Sequence, residues 1–148
     1  MNFYADYILN HPKFKTLNIV RDMDLLYPPF RLKVEDLVKT ANEGGLHVAV
    51  FETYRSNERQ RRLFLTGKSG ILKNGMHHYG VAADVVFLDR NGLWTWNMPT
   101  KDWRALGQIG KGLGLVWGGD WKKFVDSVHF QFIPVAEQNL IRRGIYPA

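Results

Sequence analysis

The stretch "GMHHYGVAADVVF", residues 75–87, decides how this chain is read. Its second half, Val-Ala-Ala-Asp-Val-Val-Phe, is apolar and rich in β-branched residues, which predicts a buried strand. Asp84 stands inside that run between Ala83 and Val85. A carboxylate in such a place is costly unless it is paired or bound to a cation. Two adjacent histidines, His77 and His78, precede it, and the strand pattern leaves open which of them is its partner.

Outward from this strand, the chain alternates helical and strand signals. Upstream, "FYADYIL" predicts a short helix ended before Pro12, and "YPPF" at 27–30 predicts a break. "RLKVEDLVKTANEGG" places Val34, Leu37, Val38 and Ala41 at helical spacing and stops at Gly44 and Gly45. "LHVAVFETY" predicts a strand, and Ser56 an N-cap for a helix over "NERQRRLFLTG". "KSGILKNGM" is a glycine-marked loop. Downstream, "DRNG" at 89–92 signals a turn with an edge strand after it. Thr100 can cap a helix over "KDWRALGQIGKGLG", whose glycines argue for close packing or a weak helix end. "LVWGG" resembles a short strand or turn. "SVHFQFI" alternates, with Val128, Phe130 and Phe132 on one face and His129 and Gln131 on the other. Pro134 opens a last helix, ended by Gly144. These signals predict an α+β fold: a single compact domain over 1–148, with a small antiparallel sheet flanked by helices.

Composition bounds the chemistry. The 148 residues are 45% hydrophobic, enough for one core. Cysteine is absent, so a metal must be held by His, Asp or Glu. The net charge of +6 favours an anionic partner, but the basic residues are scattered and no nucleic-acid motif accompanies them. No nucleic-acid partner is therefore expected. "MNFYADYILNHPKF" lacks a basic n-region and a long apolar h-region, and no apolar run approaches the ~20 residues of a membrane span. The chain is expected to be synthesised in the cytoplasm without a signal peptide and without membrane insertion.

Asp84, His129 and either His77 or His78 fall on or beside strands. Two histidines and a carboxylate are a common catalytic Zn²⁺ set that leaves a position open for water. Asp126, three residues before His129, belongs to the turn entering the strand, where it can face the metal as general base without ligating it. Arg55, at a strand end before a helix, can bind a substrate carboxylate or a developing oxyanion. The same residues also admit structural roles. Asp84 can pair with Arg55, His129 can be a half-buried strand residue, and Arg55 can be a surface ion pair. His47 and His11 read as structural and loop residues. The five tryptophans are core by default, and Trp117 and Trp121 are the two that can line a cleft.

Three ordered motifs sharpen this picture. "HHYGVAAD" fits H-x-x-G-x-A-x-D through His77, Gly80, Ala82 and Asp84; "DSVH" fits [D/E]-x-x-H through Asp126 and His129; "YRS" is followed by Glu58, Arg59 and Gln60. Over roughly residues 47–134 the chain resembles the zinc D,D- and L,D-peptidases of bacterial cell walls. That family includes vancomycin-resistance D,D-dipeptidases and D,D-carboxypeptidases, and phage L-alanyl-D-glutamate endolysins. The resemblance implies Zn²⁺ held by His77, Asp84 and His129, leaving His78 as a neighbour. It implies Asp126 as base and Arg55 as charge stabiliser. The residues expected to bind substrate are Arg55, Ser56, Gln60 and Trp117. Two positions depart from the family pattern: Gly75 where Ser or Thr is frequent, and Gln131 where Glu is frequent.

The expected activity is hydrolysis of peptidoglycan stem peptides, as an L-alanyl-D-glutamate endopeptidase of endolysin type. A D-alanyl-D-alanine carboxypeptidase or dipeptidase is the alternative within the family. A non-catalytic zinc module binding wall fragments or a protein partner is the alternative outside it; the presence of Asp126 argues against that one. The chain is expected to be a monomer that reaches the wall or periplasm after release by a partner such as a holin.

Overall fold

The structure, a computed structural model, describes residues 2–71, 73 and 75–148. Leu72 and Asn74, in the loop expected over 68–76, lie outside the described residues. One antiparallel sheet forms the centre, built from β1 (Val48–Glu52), β2 (Ala82–Leu88), β3 (Trp94–Thr95), β4 (Val116–Trp117) and β5 (His129–Gln131). The order is β1-β2-β5-β4, with β3 pairing the far end of β2. The expected α+β architecture is present.

Around the sheet lie α1 (Pro28–Glu43), α2 (Asn57–Leu65), α3 (Thr100–Gly112) and α4 (Gln138–Arg142). The apolar stripe of α1 buries Phe30, Val34, Leu37 and Ala41. Trp103 and Leu106 of α3 are buried, and the Trp103 ring meets Phe87 of β2 edge-on at 4.8 Å. The α3 glycines serve close packing. A Cβ on Gly107 would lie 2.3 Å from Trp117, and one on Gly110 would lie 2.4 Å from Phe130. Both are too short for any side chain.

Two helix starts differ from the sequence reading. Pro28 and Pro29 begin α1 rather than break the chain before it, because a helix's first turn needs no N–H partner from proline and proline's φ suits it. Thr100 does not cap α3. The carbonyl of Pro99 receives the amides of Asp102 and Trp103, so Thr100 is already the first helical residue. Ser56 does cap α2, accepting the Arg59 amide at 2.9 Å.

A candidate active site on the central strand

Register brings the site together. Asp84 on β2 is paired with Glu52 on β1 and with His129 on β5. Residues directly opposite in neighbouring strands share a face, so three titratable side chains converge from positions far apart in sequence. His77 joins them from a 3₁₀ turn, Met76–Tyr79, that immediately precedes β2. His77, Asp84 and His129 are all buried, and their donor atoms lie within 4.8 Å of one another.

The hydrogen-bond partners fix which atoms face inward. His77 Nδ1 is 2.8 Å from the Thr53 carbonyl, which can only accept, so Nδ1 carries the hydrogen. Nε2 then turns its lone pair to Asp84 Oδ1, 3.1 Å away. Gln131 donates its amide to the Ile133 carbonyl at 2.8 Å, which leaves its oxygen to accept from His129 Nε2, also at 2.8 Å. His129 Nδ1 therefore faces the same Asp84 oxygen at 3.6 Å. Two imidazole lone pairs and a carboxylate oxygen repel one another unless a proton or a metal cation lies among them. The set has the donor atoms and the orienting partners of a site for a divalent metal.

The other carboxylate oxygen of Asp84 looks away from this point. It accepts from Arg55 Nη2 at 3.0 Å. The same nitrogen donates to Glu52 at 2.8 Å, and Nη1 donates to Gln60 at 3.1 Å. Glu52, 1% exposed, also receives Arg59 Nε at 2.6 Å. Burial would raise the Glu52 pKa, but the hydrogen bonds from Arg59 and Arg55 outweigh it and keep it low. Arg55 is thus both the partner of Asp84 and a wall of the cleft.

Asp126 precedes β5 in a turn, its amide donating to Gly118 and its carbonyl accepting from the His129 amide at 3.1 Å. It borders the cleft but does not join the three-residue cluster. Burial, then the Asp84 charge, push its carboxyl above the usual carboxylate range, against the pull of His129, His77 and Arg55. The cleft holds about 920 Å³ and is lined by His77, Asp84, Asp126, His129, Arg55 and Gln60 among others.

The adjacent histidines part company. His78 points into an aromatic pocket, hydrogen-bonded to Tyr4 at 3.0 Å and Tyr54 at 3.3 Å, with the Phe14 ring beside it. Burial pushes its pKa below the ordinary histidine value. Ser56 and Trp117 do not border the cleft. The Ser56 side chain is buried, capping α2 and donating to the Thr16 carbonyl. Trp117 packs under α3 and donates its indole N–H to the Ser127 carbonyl at 2.8 Å. Trp121 takes the cleft position, its ring 5.0 Å from His129. Glu52 escaped the sequence reading, although "VAVFE" places a carboxylate in an apolar strand just as "VAADVV" does.

Comparisons with known proteins place the chain in a family. A family profile described as D-alanyl-D-alanine carboxypeptidase matches residues 70–132. The peptidoglycan L-alanyl-D-glutamate endopeptidase CwlK of Bacillus subtilis is 31% identical over 138 residues, covering 79% of this chain and 81% of the relative. The L-alanyl-D-glutamate peptidase of a Listeria phage is 32% identical over 97 residues. That match covers 65% of this chain, which spans about a third, 34%, of the phage protein. The crystal structure of the L-Ala D-Glu endopeptidase ChiX of Serratia marcescens superposes with a TM-score of 0.58 at 28% identity, covering 75% of this chain and 83% of that one. The chain belongs to the D,D-/L,D-peptidase family of bacterial cell walls.

Proposed function

We propose that this protein is a zinc-dependent L-alanyl-D-glutamate endopeptidase that hydrolyses peptidoglycan stem peptides. One observation carries the chemistry: three electron-pair donors converge in a buried cluster that opens onto a cleft bordered by a separate carboxylate. The choice of bond is supported by CwlK and ChiX, whose names carry that specificity at 31% and 28% identity.

In this reading His77 Nε2, Asp84 Oδ1 and His129 Nδ1 hold the metal, while Thr53 and Gln131 keep the imidazoles in the ligating tautomers. Zinc, when bound, acts as a Lewis acid and lowers the pKa of water to about 7. Asp126, bordering the cleft beside the three donors, takes the proton of the attacking water and returns it to the leaving amine. Arg55, fixed by Glu52, Asp84 and Gln60, faces the negative charge that develops on the scissile carbonyl or a nearby substrate carboxylate. Residues 1–148 act as one monomeric peptidase domain on the wall after release by a partner such as a holin. No helix among the described residues is long and apolar enough to cross a membrane.

Digestion of purified muropeptides, with products mapped by mass spectrometry, tests the proposal. A new D-glutamate N-terminus is the expected product. Terminal D-alanine release would make the protein a carboxypeptidase, and no cleavage by zinc-loaded protein would make it a binding module. Asp126→Asn keeps the side chain's shape and removes its basicity. It should still bind zinc but lose about 100- to 10,000-fold in turnover.

A further inference from the structure

An aromatic group beside the cleft has no part in the hydrolysis just described. β1 carries a bulge: Val50 pairs with Val85 and Glu52 with Asp84, leaving Phe51 as the extra residue. A bulge re-aims side chains that would otherwise alternate, and consecutive Phe51 and Glu52 both border the cleft. Phe51 meets two tryptophans edge-on, Trp94 at 5.1 Å and 89° and Trp96 at 5.1 Å and 81°. The Arg21 guanidinium lies 5.0 Å from the Phe51 ring and 5.1 Å from Trp94. The cluster is therefore braced from behind, yet Trp96 is 51% exposed and borders the same cleft as the candidate metal ligands.

Leaving a braced indole half in water forgoes burial unless a ligand covers it. The ligand's chemistry follows from the proposed function, on which this inference rests. In a stem peptide the L-alanine of the scissile bond is joined directly to the lactyl group of a muramyl sugar. One residue spans at most about 3.6 Å and the lactyl group adds about as much again, so the sugar ring lies roughly 7 Å from the scissile bond, within reach of the edge of a cleft this size. A pyranose has an apolar C–H face and a rim of hydroxyls. The electron-rich face of an indole suits the first and leaves the second in water.

We infer that Phe51 and Trp96 form a sugar-stacking subsite that takes the muramyl ring of the glycan strand. The enzyme then prefers stem peptides still attached to glycan over free peptides.

Two measurements on zinc-loaded protein test this. The first compares cleavage of a disaccharide-bearing muropeptide with the same peptide lacking sugar. Trp96→Ala should raise KM about 5- to 10-fold on the first substrate and leave the second unchanged. Trp96→Tyr should restore most of the loss. An equal effect on both substrates assigns Trp96 to the peptide, and no effect on either removes it from binding; each overturns the inference. The second is saturation-transfer NMR with the peptide-free disaccharide. Transfer should be seen with wild type and lost in Trp96→Ala; no transfer with wild type overturns the subsite. Because this measurement needs no cleavage, it still decides the subsite if wild type fails to cut the L-alanyl-D-glutamate bond, a result that would sink the proposed function alone.

Discussion

Successive side chains in a 3₁₀ turn are about 120° apart, and this separates the fates of His77 and His78. One faces Asp84 and His129; the other is enclosed by Tyr4, Phe14 and Tyr54. His77→Ala should abolish stoichiometric zinc in elemental analysis. His78→Ala should retain zinc but unfold at lower denaturant, since it empties a buried site and removes two tyrosine partners. Zinc lost from the second variant and kept by the first would reverse the assignment. Arg55 combines roles that the sequence reading offered as alternatives: it is the salt-bridge partner of Asp84 and it borders the cleft. Its side chain is 12% exposed. Arg55→Ala therefore leaves Asp84 short of its partner and should cost about 3–5 kcal/mol in denaturant titration, besides about 100- to 1,000-fold in turnover. Arg55→Lys keeps the charge but not the fork that spans Glu52, Asp84 and Gln60. It should recover part of the stability and little of the turnover. Turnover near wild type in both variants would leave Arg55 a purely structural ion pair.

At the scale of elements, the turn between β4 and β5 aims the proposed base. Gly118 accepts the Asp126 amide at 3.0 Å, and a Cβ on Gly118 would lie 2.5 Å from the Asp126 carbonyl and 3.1 Å from His129 Cβ. Gly118→Ala should displace the 126–129 turn without melting the sheet. A misplacement of about 1 Å can cost on the order of 100-fold, so turnover should fall that far while circular dichroism stays native. Unchanged turnover would mean the turn tolerates the methyl group and does not set the geometry. Elements of this kind mark what the sequence could and could not reveal. Asp84 in an apolar strand, His129 on an alternating one and Asp126 in its entering turn were legible because each breaks or follows a local pattern. Glu52 was not recognised, since its value depends on the bulge that pairs it with Asp84 and on two arginines, Arg55 in the connection after β1 and Arg59 in α2. Trp117 and Trp121 have the same local look. Which one borders the cleft is decided by α3, whose Gly107 receives the Trp117 ring. Thr100 matched a capping pattern, but the carbonyl that starts α3 belongs to Pro99.

Across the whole molecule, both chain ends brace the histidine turn. Tyr4 and Phe14 of the N-terminal segment wall in His78, and Tyr146 donates to the Tyr79 carbonyl at 2.7 Å. Tyr27, the residue before α1, donates its hydroxyl to the carbonyl of Pro147 and its amide to the carbonyl of Gly80 at 2.9 Å. The proposed metal-ligand cluster is thus tied to the global fold rather than carried on a loose loop, and metal binding should register as global stability. A ligand that binds only the native state at 1,000 times its Kd adds about 4.1 kcal/mol. For a domain near this size each kcal/mol shifts Tm by roughly 2–4 °C, so stripping the zinc with a chelator should lower Tm by on the order of 10 °C. His78→Ala, destabilised in both states, should show the same difference between loaded and stripped protein. His77→Ala should show almost none, because one of the three converging donors is gone. Equal Tm values for loaded and stripped wild type would mean that the cluster does not bind the metal in preference to the unfolded chain, and the ligand assignment would fall with it.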